Sequence, residues 1–92
     1  MALPNEILGF AAEIVAHLRQ RGETISTAES LTAGAVSSAL VTISGASDVF
    51  VGGLTAYRDE IKTSHLGIDP ELIEKYSVIS EEVAVAMAKG AI

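Results

Sequence analysis

Ser30, Tyr57 and Lys62 offer the residue types that nucleophilic chemistry needs. A serine hydroxyl attacks an acyl carbon only when a base takes its proton. A lysine is such a base near neutral pH only if desolvation or neighbouring cations favour its neutral amine. Ser30 stands in the run Thr27-Ala28-Glu29-Ser30-Leu31-Thr32-Ala33-Gly34, where a short β-rich stretch feeds an Ala/Val-rich helical one. Backbone N–H groups at a helix start lack internal partners and carry the positive end of the helix dipole. A hydroxyl there can cap the helix, bind a phosphate or act as a nucleophile. Position alone favours the cap.

The surrounding residues leave the same choice open. The pattern is not the G-x-S-x-G elbow of α/β-hydrolases, because Ala28 and Thr32 occupy the glycine positions. Nor is it a P-loop, since no Gly-Lys-Ser/Thr follows a glycine-rich run. Glu29 reads either as a solvated first-turn acid or as a group that positions a ligand hydroxyl. Thr32 is a second cap or a ligand hydrogen bond, and Gly34 permits close packing of helix on strand. Taken alone, Lys62 is a solvated surface lysine and Tyr57 a half-buried aromatic at a strand end. Their spacing of five does not stack them on one helix. They face one pocket only if Tyr57 precedes the helix. His17 reads as a surface residue and His65 as a dipole partner at a helix C-terminus, so no Ser-His-Asp triad is expected. Glu71, Glu74, Glu81 and Glu82 read as solvated helix faces.

The elements that must position these groups follow from periodicity and capping. Leu3 to Arg21 is an amphipathic helix with Ile7, Leu8, Ala11, Ile14, Val15 and Leu18 on one face. Asn5 is its expected cap and Gly22 its left-handed stop. Thr24 to Ala28 reads as a strand, and a helix runs from about Ser30 to Ile43. Val49 to Ala56 is a second strand, where Gly52-Gly53 signals a bulge or a close backbone approach. Tyr57 to Leu66 is helical and stops at Gly67. Asp69-Pro70-Glu71 opens a further helix ending near Tyr76. Ser77 to Ile79 is a candidate short strand, and Ser80 caps a last helix toward Lys89.

Strands alternating with helices predict an α/β fold, with layered helices around a small, partly parallel sheet. So few strands predict a sheet that is incomplete in this chain and is finished by further polypeptide or a second chain. The 92 residues are 49% hydrophobic but only 4% aromatic, so the core should be built from small and branched side chains. No run approaches the ~18 apolar residues of a membrane span. Glu6 and Glu13 interrupt the start of the chain, which does not read as a signal peptide. Without cysteine, disulfides and thiolate metal sites are excluded, which fits a cytoplasmic protein. A net charge of −6 argues against a general nucleic-acid surface, while leaving room for a local pocket for a small anion.

Four ordered blocks then match something specific: T-A-E-S-L-T-A-G, G-G-L-T-A-Y-R-D-E-I-K, L-G-I and V-I-S-E-E-V-A-V-A-M-A-K-G-A. Together they resemble the CinA C-terminal domain family, the bacterial nicotinamide-nucleotide amidases. The resemblance covers essentially the whole chain. It implies hydrolysis of the carboxamide of nicotinamide mononucleotide to the nicotinate nucleotide and ammonia, with no metal or other cofactor. It implies Ser30 as nucleophile, with Lys62 taking its proton directly or through Tyr57. It implies that Glu29, Thr32, Ala33 and Gly34 line the substrate pocket, and that the protein forms homo-oligomers with sites near subunit contacts. Leu31 and Ala33 depart from the family's usual Cys and Gly. The family's later G-x-A-G-P block is absent, so the chain is expected to be one N-terminal portion, residues 1–92, of a longer amidase domain. The rival expectation is a non-catalytic module that binds a nucleotide phosphate at the Ser30–Gly34 turn, or one that only oligomerises.

Overall fold

Two parallel strands carry the ends on which the candidate residues sit. The computed structural model describes residues 3–92. The order is α1 (Asn5–Arg21), β1 (Ile25–Glu29), α2 (Ala35–Thr42), a 3-10 turn (Ala46–Asp48), β2 (Phe50–Thr55), α3 (Asp59–Leu66), α4 (Pro70–Tyr76) and α5 (Glu81–Gly90). β1 pairs with β2. The Ile25 N–H donates to the Val49 carbonyl at 2.8 Å, and the Ala56 N–H donates to the Glu29 carbonyl at 2.8 Å. Both chains advance together between those bonds, so the pairing is parallel, as the α/β reading expects. A parallel pair requires a long crossover, which α2 and the 3-10 turn supply.

Residues group into two compact units, one running up to Ser26 and resuming over Ala35–Gly52, the other made of Thr27–Gly34 and Gly53–Ile92. The first has a core of Ala11, Val15, Ala39, Leu40, Ala46 and Val49. Only part of the expected α1 face is used. Ala11 and Val15 are buried and Leu8 and Leu18 half-buried, whereas Ile7 and Ile14 are exposed at the flanks of that stripe. Asn5 does not cap α1: Pro4 holds the cap position with no side-chain bond, and Asn5 is the first helical residue. Gly22 does stop the helix, at φ 65°.

The second unit packs Ala56, Leu66, Ile68, Val83 and Met87 together. Its helix starts follow their sequence signals. Asp69 accepts from the Glu71 N–H at 2.9 Å, with Pro70 behind it. The Ser80 hydroxyl accepts from the Val83 N–H at 3.2 Å and donates to the Ser77 carbonyl at 2.7 Å. That last bond, with Ser77 at φ 74°, makes 77–80 a turn and not the expected short strand. A Cβ on Gly90 would lie 2.3 Å from the Leu66 carbonyl oxygen, so this glycine lets α5 approach the end of α3. At Gly52, by contrast, a Cβ would meet nothing within 4 Å, and β2 runs through both glycines as one strand.

The largest departure from expectation lies after β1. Helix α2 does not start at Ser30 but five residues later, at Ala35. Ala33 and Gly34 both have positive φ, 52° and 95°. A right-handed helix cannot run through two left-handed residues, so Leu31–Gly34 form a turn.

Candidate active site

β1 delivers Glu29 to the edge of a pocket and Ser30 immediately after it. The backbone there is tied at both residues. The Glu29 carbonyl accepts from Ala56, and the Ser30 carbonyl accepts from the Ala33 N–H at 3.1 Å. Because four turn residues separate it from α2, Ser30 is not that helix's cap. Of the three roles open to its hydroxyl, the one favoured by position alone therefore falls.

Glu29 is not a solvated first-turn acid either. It closes β1 with only 5% of its surface exposed, and its Oε1 accepts from the Thr32 hydroxyl at 2.8 Å. Buried carboxylates require such partners. A Cβ on Gly34 would lie 3.7 Å from Thr55 Oγ1, an ordinary contact, so its φ of 95° and not tight packing is what calls for glycine.

β2 delivers the other half. Ala56 is fully buried, and Tyr57 follows β2 and precedes α3, with 71% of its surface exposed. It is thus more open than a half-buried strand-end aromatic. Since Tyr57 precedes the helix, its five-residue spacing from Lys62 places both at one pocket. Lys62 is the reverse of a solvated lysine: it is 1% exposed. Its Nζ donates to the Tyr57 carbonyl at 2.7 Å and lies 3.9 Å from Asp59 Oδ1. The main chain of the tyrosine thereby holds the amine of the lysine.

These groups meet in a pocket of about 610 Å³, within the size range of small-molecule sites. One wall is Ala28–Thr32, a second is Tyr57, Asp59 and Lys62, and a third is apolar, from Val78, Ile79, Ala84 and Met87, with Ser80 between. Ser30, Tyr57, Lys62, Glu29 and Thr32 line it; Ala33 and Gly34 shape the turn behind Thr32 without lining it. Sequence reasoning misses the third wall, because Val78-Ile79 reads as strand and Ser80 only as a cap. It misses Asp59 as well, since an acid in a first helical turn is ordinary. Both His17 and His65 are exposed and lie outside this lining. Among the described residues no group of His, Asp or Glu gathers that could hold a metal ion, and no helix is long and apolar enough to cross a membrane.

With that geometry in place, comparison with known proteins identifies the lineage. The family model for the CinA C-terminal domain matches residues 8–92. The chain belongs to that family. A CinA-like protein of Synechococcus is 47% identical over 81 residues, covering 88% of this chain but 19% of that protein. One from Kosmotoga olearia is 48% identical over 79 residues, again 19% of its length. The crystal structure of a competence/damage inducible protein from Agrobacterium tumefaciens superposes with a TM-score of 0.93 at 35% identity, covering 99% of this chain and 56% of that one. A competence-damaged protein (CinA) superfamily structure from Escherichia coli gives 0.91 at 30% identity, covering 100% and 55%. The chain thus spans about a fifth of the curated CinA-like relatives and just over half of the solved CinA structures.

Proposed function

We propose that this CinA-family chain is the N-terminal part of an amidohydrolase domain that releases ammonia from the carboxamide of nicotinamide mononucleotide. The observation that supports it best is the burial of Lys62 in the wall of the pocket that Ser30 and Tyr57 also line. In this reading Lys62 takes the Ser30 proton, directly or through the Tyr57 hydroxyl, as Oγ bonds to the amide carbon. The C–N bond then breaks, the proton leaves with ammonia, and water hydrolyses the resulting ester to free acid and serine. Glu29 and Thr32 line the pocket against the substrate, and Ala33 and Gly34 shape the turn behind Thr32. The active form is a cytoplasmic homo-oligomer that uses no cofactor.

The test is ammonia release from nicotinamide mononucleotide by the 92-residue chain and by a form extended to the length of the CinA structures. We expect equal amounts of ammonia and nicotinate mononucleotide from the extended form, and much slower release from the short one. No ammonia above background from the extended form would reject the amidase reading. Equal turnover by both would reject only the need for added chain.

A further inference from the structure

The pocket wall contains a hydroxyl whose proton is already committed. Thr32 Oγ1 donates to Glu29 Oε1 at 2.8 Å. A threonine hydroxyl has one proton and two lone pairs, and an ionised carboxylate only accepts. The acceptor is well anchored. Glu29 is buried at the end of β1, and its carbonyl is pinned by the Ala56 N–H at 2.8 Å. Thr32 itself is exposed and lines the pocket. What it can offer a ligand is therefore lone pairs and not a proton.

We propose that Glu29 locks Thr32 as a hydrogen-bond acceptor, so that the pair selects a ligand bearing an N–H donor, a primary carboxamide, over one bearing a carboxylate. This rests on the amidase reading and deepens it. A carboxamide NH₂ donates to the Thr32 oxygen. After hydrolysis the same position holds a carboxylate oxygen, which has no proton to give and meets lone pairs. The substrate is retained and the product expelled by one side chain. Glu29 acts through Thr32 and is a positioning residue.

The experiment measures binding of nicotinamide mononucleotide and nicotinate mononucleotide by calorimetry, in a Ser30→Ala background that prevents turnover, using the extended form. The parent should prefer the amide. Adding Thr32→Val should shrink that preference by roughly tenfold, the scale of one hydrogen bond, and Thr32→Ser should restore it. Glu29→Ala, which removes the acceptor and frees the Thr32 proton, should shrink the preference with the hydroxyl still present. A preference within twofold of the parent in Thr32→Val or in folded Glu29→Ala overturns the proposal. If Glu29→Ala does not fold, as read by thermal melting, the Thr32→Val and Thr32→Ser pair decides alone. A parent that binds neither nucleotide would instead reject the amidase reading itself, a result distinct from equal binding of both.

Discussion

Ser30→Ala should lower ammonia release from nicotinamide mononucleotide by about 10³-fold or more, the scale seen when an enzyme loses its nucleophile, while leaving stability almost untouched. The two halves of this expectation come from the same geometry. Ser30 lines the pocket and is half-buried, so losing its oxygen removes a reacting atom but little packing. It does not cap α2, which opens at Ala35. A helix cap would behave in the opposite way, costing about 1 kcal/mol of stability on truncation with activity spared. Parallel rate and denaturant measurements separate the two. A destabilised but active alanine variant would return Ser30 to the structural role that its sequence position suggests.

Lys62→Met should reduce turnover by about 10²- to 10⁴-fold, the usual contribution of a positioned general base. Methionine keeps an unbranched stem of similar length and deletes the amine that Tyr57's carbonyl holds at 2.7 Å. Lys62→Ala should be equally inactive but also destabilised by about 2–5 kcal/mol, because truncating a long buried side chain leaves a cavity. Comparing the two by rate and by denaturant midpoint distinguishes loss of the base from loss of the fold. Lys62→Arg should not rescue, since a guanidinium stays protonated. A methionine variant within threefold of wild-type activity would remove Lys62 from the mechanism.

How much of this is legible in the sequence depends on the range of the forces involved. Asp69-Pro70-Glu71 and Ser80-Glu81-Glu82 are local signals satisfied by local hydrogen bonds, and both helices begin where those residues place them. Gly22 and Gly67 likewise end helices in left-handed geometry, at φ 65° and 69°. The start of α2 is not legible, because it turns on Ala33 adopting φ 52°, a conformation alanine enters at a cost and therefore does not advertise. The Glu29–Thr32 bond inside that turn stays hidden for the same reason.

Lys62 shows the other limit. Lysine's default is solvent, and nothing within its own helix announces burial. Its environment comes from Tyr57 before the helix and from residues twenty or more positions on, such as Ala84 and Met87, which line the same pocket. The serine and lysine can be picked out as chemically suited, and the family resemblance joins them. Their placement in one pocket, and the apolar wall of Val78, Ile79 and Met87, require the fold.

The most direct measurement is partition of the reaction with hydroxylamine. If Ser30 forms an ester with the substrate acyl group, hydroxylamine competes with water for that ester. The extended protein should then convert nicotinamide mononucleotide partly to the hydroxamate, in a share that rises with hydroxylamine while ammonia release continues, and Ser30→Ala should form none. Steady ammonia release with only the free acid as product, at every hydroxylamine concentration, would contradict attack by Ser30.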